Sequence, residues 1–99
     1  MTDVYTVSQI KDSLIPIFKQ YGIRSATLFG SYSKGTANRN SDIDIMVDSG
    51  LRGLRFVGLL NDMRCAVGKD IDLFDVSHID NGSLIEREIR QTGVTLYEE

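Results

Sequence analysis

In 99 residues the sequence holds one cysteine, one proline, one histidine and no tryptophan. A lone Cys65 excludes an internal disulfide, so packing and hydrogen bonds must hold the fold. Cys65 itself reads as a small apolar helix residue. No stretch approaches the roughly 18 consecutive apolar residues of a membrane span. The start, Met1-Thr2-Asp3-Val4, lacks the basic residues and apolar segment of a signal peptide, so a cytoplasmic protein is expected. Basic excess is missing too: 11 Lys and Arg stand against 14 Asp and Glu, a net charge of −3. Proteins that hold extended nucleic acid usually carry a basic stripe, and none is visible, which disfavours long polynucleotides as partners. Repeats and low-complexity tracts are also absent.

What remains is ordinary globular composition, 41% hydrophobic and 25% charged, spread over a length that predicts one domain across residues 1–99. A chain this short buries only about 60–65% of the surface its unfolded form exposes. That leaves little room for a separate region to grip a second substrate. A large acceptor would have to bring its own docking surface or be held by a partner.

Apolar periodicity divides the chain into short elements. In segment 8–21, Ile10, Leu14, Ile17, Phe18 and Tyr21 fall on one helical face. Ser8 is the expected N-cap and Gly22 the stop. Pro16 conflicts with that helix, because it removes a backbone donor; a bend or a looser turn before it is expected. Ala26-Thr27-Leu28-Phe29 predicts a short buried strand, and 33–40 a polar turn. Segment 42–47 alternates with period two, as a strand with two different faces does. Phe56, Leu59, Leu60, Met63 and Val67 predict a second long helix closed by Gly68. A strand over 70–74 follows. A helix over 83–91 comes next, with Ser83 and Glu86 as a capping box, and a final strand over 94–97. The predicted class is α/β, a small mixed sheet flanked by helices. Its open edges invite self-association or partner binding.

The chemistry concentrates in Gly30-Ser31, followed after ten residues by Asp42-Ile43-Asp44. On a strand, Asp42 and Asp44 project from one face while Ile43, Ile45 and Val47 project from the other. Two neighbouring carboxylates repel each other unless a cation lies between them. Hard Mg²⁺ prefers such oxygen ligands, completed by phosphate oxygens and water. Asp70 and Asp72 share a face of the next strand, and Asp72, held mid-strand, is the favoured third acid. Gly30-Ser31 stands where a strand hands over to a turn or helix start. Backbone N–H groups there can cradle phosphate oxygens, with the Ser31 hydroxyl as a further donor. A phosphate cradle facing a metal site is equipment for phosphoryl or nucleotidyl transfer. Lys34 and Arg39, in the polar turn, could reach a triphosphate, Arg39 as a bidentate fork. Tyr32 could flank a nucleotide or simply pack. Lys69 reads as a helix C-terminal charge and His78 as a surface loop residue.

Leu28-Phe29-Gly30-Ser31-Tyr32 through Ser41-Asp42-Ile43-Asp44-Ile45 resembles the signature of the DNA polymerase beta-like nucleotidyltransferase superfamily. More closely it resembles the minimal nucleotidyltransferases, many of them antitoxins paired with HEPN-domain toxins. The resemblance spans nearly the whole chain, from the helix with Pro16 to the ending Ile85-Glu86-Arg87-Glu88-Ile89 and Leu96-Tyr97-Glu98. It implies a mixed-sheet nucleotidyltransferase fold, ATP as substrate, a two-metal Mg²⁺ site, and catalytic carboxylates at Asp42, Asp44 and Asp72. It also implies transfer of AMP to a tyrosine of a partner toxin. Two other functions stand beside it: a scaffold that neutralises a toxin by binding alone, and nucleotidyl transfer to a small molecule. Three clustered acids argue against the scaffold, since clustering them costs stability. The lack of a second domain argues against the small acceptor.

Overall fold

The computed structural model describes residues 4–99; residues 1–3, most of the stretch weighed above against a signal peptide, lie outside the described residues. The first helix, α1 (Val7–Tyr21), starts earlier than its apolar stripe suggests. Thr6, not Ser8, is the N-cap: its side chain accepts from the Gln9 N–H, and the Gln9 side chain accepts from the Thr6 N–H. Two orphan donors are satisfied reciprocally, which a cap at Ser8 could not do. The helix runs through Pro16 without a break. Ile10, Leu14 and Phe18 on either side of the proline are fully buried, so both halves are pinned by packing.

After Gly22 the chain enters β1 (Ser25–Phe29), then one helical turn, α2 (Ser31–Lys34), the helix start that was one of the two alternatives at Gly30-Ser31; it takes in Ser33 and Lys34, which the sequence assigned to the polar turn. Next come β2 (Ile43–Asp48), α3 (Leu54–Val67) and β3 (Ile71–Asp75). A 3-10 turn at Val76–His78 leads on to α4 (Leu84–Thr92) and β4 (Val94–Glu98). Both acid-bearing strands begin one residue later than expected, so Asp42 and Asp70 stand just ahead of β2 and β3. The α4 cap also differs. Ser83 accepts from the Glu86 N–H, but the Glu86 carboxylate reaches the N–H of Gly82 rather than that of Ser83.

The sheet order is β3-β2-β1-β4. β1 runs antiparallel to β2 and β4, while β2 and β3 are parallel, so the sheet is mixed. Its two faces have different fates. Ala26, Leu28, Ile43, Ile45, Val47, Ile71 and Leu96 pack with Ile10, Leu14 and Phe18 of α1 and Leu59, Met63 and Val67 of α3 in one buried cluster. Apart from Ala26, each such side chain contributes about 1.5–3 kcal/mol on leaving water. The opposite face carries Thr27, Phe29, Asp44, Met46, Asp72 and Phe74, as period-two alternation requires. There α4 lies over β1: a Cβ on Gly93 would stand 2.9 Å from Cγ2 of Thr27. No residue of α4 is fully buried, so this face is only partly covered. Cys65 lies on α3 as expected, but exposed rather than packed, because it falls outside the stripe of Leu59, Met63 and Val67. Among the described residues, no helix is long and apolar enough to cross a membrane.

Candidate active site

The two faces of β2 are set by its alternation: Ile43, Ile45 and Val47 are buried, while Asp44, Met46 and Asp48 are only partly covered. Parallel pairing puts Asp44 directly beside Asp72, and antiparallel pairing puts Phe29 on its other side. Asp70 lies outside the strand, exposed, with its carbonyl accepting from the Ile43 N–H. Asp72 is therefore the acid of this pair that faces Asp44. Asp42 is exposed, one residue before β2, and adds its charge to the field at Asp44. A tight loop precedes it. Asn38 and Ser41 hydrogen-bond through Asn38 N–H to Ser41 Oγ and Ser41 N–H to Asn38 O, and Asn38 Oδ1 accepts from the Asn40 N–H.

The Asp44 carboxyl is pushed up from 3.8 to about 6. Burial is the largest cause; then comes the Asp72 carboxyl, near enough to share a proton, followed by the negative charges of Glu88 and Asp42. A carboxyl surrounded by three other acids gains from any cation placed among them. Among the described residues, no three His, Cys, Asp or Glu side chains are placed to hold a metal ion by themselves. The facing pair Asp44 and Asp72 suits a hard cation in its donor chemistry, with triphosphate and water oxygens supplying the remaining ligands.

Gly30 joins this cluster for a reason the sequence did not reveal. Its φ of 75° and ψ of −152° fall in a region that essentially only glycine occupies. A Cβ there would stand 2.2 Å from Oδ2 of Asp44. The missing side chain is the space in which the Asp44 carboxylate sits. Ser31 follows as the first residue of α2, partly exposed at the handover from β1. Ser33 Oγ donates to the Gly30 carbonyl and steadies the turn. Tyr32 is buried in the core cluster, which fits packing rather than contact with a nucleotide.

Two contacts were not foreseen. Lys34 on α2 forms an ion pair with Glu88 on α4, Nζ to Oε1 at 2.7 Å, so α4 supplies one of the three acids around Asp44. The available signal was an acid on the apolar side of a strongly amphipathic helix, one turn from Ile85 and Thr92. Lys69 does more than neutralise a helix end: its Nζ donates to the Arg39 carbonyl at 2.7 Å and ties the polar loop to the start of β3. The Arg39 side chain is exposed on that loop. His78 ends the 3-10 turn with its ring edge-on to Phe56, at 6.4 Å. A cavity of about 560 Å³ opens at the other end of β2 and β3, lined in part by Asp48, Arg52, Phe56, Asp75 and His78; it includes none of the motif residues.

A strand–glycine–helix turn set against paired acids on parallel strands can be compared with known proteins. The family described as polymerase beta, nucleotidyltransferase, matches residues 12–99. The chain belongs to this nucleotidyltransferase family. One relative, a Methanocaldococcus jannaschii protein provisionally named a protein adenylyltransferase, is 33% identical over 75 residues. That match covers 74% of this chain and 81% of the relative. The protein adenylyltransferase MntA of Thermococcus cleftensis is 34% identical over 68 residues, 65% of this chain and 67% of that one. Among solved structures, a toxin–antitoxin crystallised with AMP-PNP superposes with a TM-score of 0.76 at 28% identity. It spans 90% of this chain and 73% of its own. The mixed four-stranded sheet with flanking helices is thus the nucleotidyltransferase fold of these relatives.

Proposed function

We propose that this nucleotidyltransferase moves AMP from ATP to a tyrosine hydroxyl of a HEPN-type partner toxin and so acts as its antitoxin. The observation that carries the reading is the register of β2 and β3, which sets Asp44 against Asp72 beside the Gly30 turn. Relatives named protein adenylyltransferase and a related toxin–antitoxin bound to AMP-PNP support the choice of ATP and of a protein acceptor. ATP as donor and an exposed free thiol both fit the reducing cytoplasm, and residues 1–99 are taken as one catalytic domain.

In this proposal Asp42, Asp44 and Asp72 would hold Mg²⁺, in a two-metal site once ATP adds its phosphate oxygens. Bound there, Mg²⁺ would polarise the α-phosphate and neutralise charge on the departing oxygens. Gly30 and Ser31 bind the β- and γ-phosphates through backbone N–H groups and the Ser31 hydroxyl. Arg39, exposed on the loop before Asp42, adds a fork for a phosphate oxygen. Asp72, the more exposed of the facing pair, orients the acceptor hydroxyl and takes its proton. The phenol oxygen forms a bond to the α-phosphorus, the bond from that phosphorus to the bridging oxygen breaks, and pyrophosphate leaves.

The test is incubation with ATP, Mg²⁺ and the purified partner toxin, with mass spectrometry of the toxin. An AMP adduct on tyrosine that disappears in Asp44→Asn supports the reading. A toxin neutralised equally well by Asp44→Asn, with no adduct, would replace it with the scaffold reading.

A further inference from the structure

The face that carries Asp44 and Asp72 continues past the acids. Two residues further along the same strands come Met46 and Phe74, paired in register on that face. The Phe74 ring lies 5.7 Å from that of Phe29, tilted by 51°, and Phe29 is paired directly with Asp44. Neither ring belongs to the cluster between the sheet and helices α1 and α3. Phe29 is 4% exposed, whereas Met46 and Phe74 are only half-buried. A partly open apolar floor therefore adjoins the paired carboxylates.

The placement of the triphosphate proposed above, combined with the topology, leaves that floor to the acceptor. Attacking and leaving oxygens lie on opposite sides of the α-phosphorus in an in-line displacement. Gly30 and Ser31 follow the C-terminal end of β1, which, by antiparallel pairing, is the N-terminal end of β2. On the nucleotidyl-transfer reading, with the phosphates at Gly30 and Ser31, pyrophosphate would leave toward that end. The acceptor would then arrive from the other side of the acids, above Met46 and Phe74.

We propose that Phe74, backed by Phe29 and flanked by Met46, is the specificity-determining floor for the acceptor, receiving the ring of an aromatic hydroxyl and so favouring tyrosine over serine. The inference rests on the nucleotidyl-transfer reading above and adds no chemical step to it. A phenol brings a flat apolar ring that covers the partly exposed Phe74 and Met46, while a serine hydroxymethyl leaves them wet. Aromatic pairs gain beyond their buried area when the rings are offset or tilted, as Phe29 and Phe74 already are. Together with the area term this is enough for a preference of roughly tenfold or more.

The experiment uses the full chain with ATP, Mg²⁺ and a HEPN-type partner toxin in two forms, one with its acceptor tyrosine and one with that tyrosine changed to serine. The variants are Phe74→Ala, Phe74→Leu, which keeps apolar volume, and Phe74→Tyr, which keeps the ring; melting temperatures check that each is folded. Wild type should favour the tyrosine form by roughly tenfold or more in kcat/KM. Phe74→Ala and Phe74→Leu should raise KM for the tyrosine form, leave the ATP Kd unchanged and narrow the preference, and Phe74→Tyr should restore it. As a second readout, p-cresol should inhibit toxin modification by wild type and by Phe74→Tyr, and do so several-fold more weakly in Phe74→Leu. An unchanged tyrosine preference in folded Phe74→Leu overturns the proposal. So does a weakened ATP Kd with acceptor KM intact, because the floor would then hold the base. A wild-type protein that transfers AMP to neither form fails the transfer reading itself, and the inference with it.

Discussion

Replacing Asp44 with asparagine should stabilise the protein in the absence of divalent cations, and do so only above a particular pH. The Asp44 carboxyl is raised from 3.8 to about 6 in the fold, by burial first and by the facing Asp72 next. Below pH 3.8 the folded and unfolded chains both hold the proton, and the group costs nothing. Between 3.8 and about 6 the folded protein keeps a proton that the unfolded chain has released, so stability falls as pH rises. Above 6 the loss is complete. The gap between 3.8 and about 6, at 1.36 kcal/mol per pH unit, amounts to about 3 kcal/mol. Asp44 is partly solvated, and screening reduces this to about 1–2 kcal/mol. Asparagine keeps the shape and removes the charge, so Asp44→Asn should gain that amount at pH 8 and almost nothing at pH 4. For a domain of this size the gain is roughly 4–15 °C in Tm. Comparing the two proteins pH by pH in EDTA, by thermal and urea unfolding, cancels groups common to both. Added Mg²⁺ should stabilise wild type more than the variant, which lacks one of the three carboxylates that would hold it. A variant that is equally stable or less stable than wild type at pH 8 would refute the reasoning, since the acids would then not be in repulsive contact.

Three further outcomes follow from the same geometry. Gly30→Ala should cost about 2–4 kcal/mol, from backbone strain and the 2.2 Å overlap with Asp44 Oδ2, and Gly30→Ala combined with Asp44→Gly should recover part of it in urea unfolding. Full additivity of the two changes would show that the overlap is not the cause. Asp75 is 4% exposed; burial pushes its carboxyl up, but hydrogen bonds from the Ser49 and Ser77 hydroxyls and N–H groups outweigh that and hold it at about 2. Its stabilisation is present above pH 3.8 and lost as pH falls toward 2, and Asp75→Ala should cost about 2–4 kcal/mol at neutral pH, by leaving those donors unpaired. A loss below about 0.5 kcal/mol by chemical denaturation would contradict this. Asp72→Asn should keep most ATP affinity by calorimetry and lose transfer by roughly 100-fold or more, while Asp70→Asn changes neither; the reverse result would move the third carboxylate to Asp70.

Much of this protein was legible from residue order alone, because the relevant signals are local. Period-two alternation in Asp42-Ile43-Asp44-Ile45-Met46-Val47 already separates an acid face from a buried face, and β2 shows that separation. The apolar stripe of Ile10, Leu14 and Phe18, and that of Leu59, Met63 and Val67, identify the helices that cover the sheet. The spacing of Gly30-Ser31 and Asp42-x-Asp44 is linear information and leads directly to the family. Element ends were less legible, since a cap is decided by which side chain closes on which N–H, as with Thr6 and Gln9 against Ser8.

Tertiary structure decided everything that depends on a pairing between distant segments. Alternation put Asp70 and Asp72 on one face and the mid-strand position favoured Asp72, but only the parallel register shows which acid lies beside Asp44. Residue order marks Gly30 as a turn, but not that its absent Cβ is the space for a carboxylate 14 positions later. Glu88 comes near the acids because α4 folds back over β1, and the Phe29–Phe74 floor exists because β1 and β3 flank the same strand. Periodicity is a property of one segment, whereas register and docking are set by the joint burial of several. A carboxylate's charge state follows from neighbours that only the folded chain brings within reach.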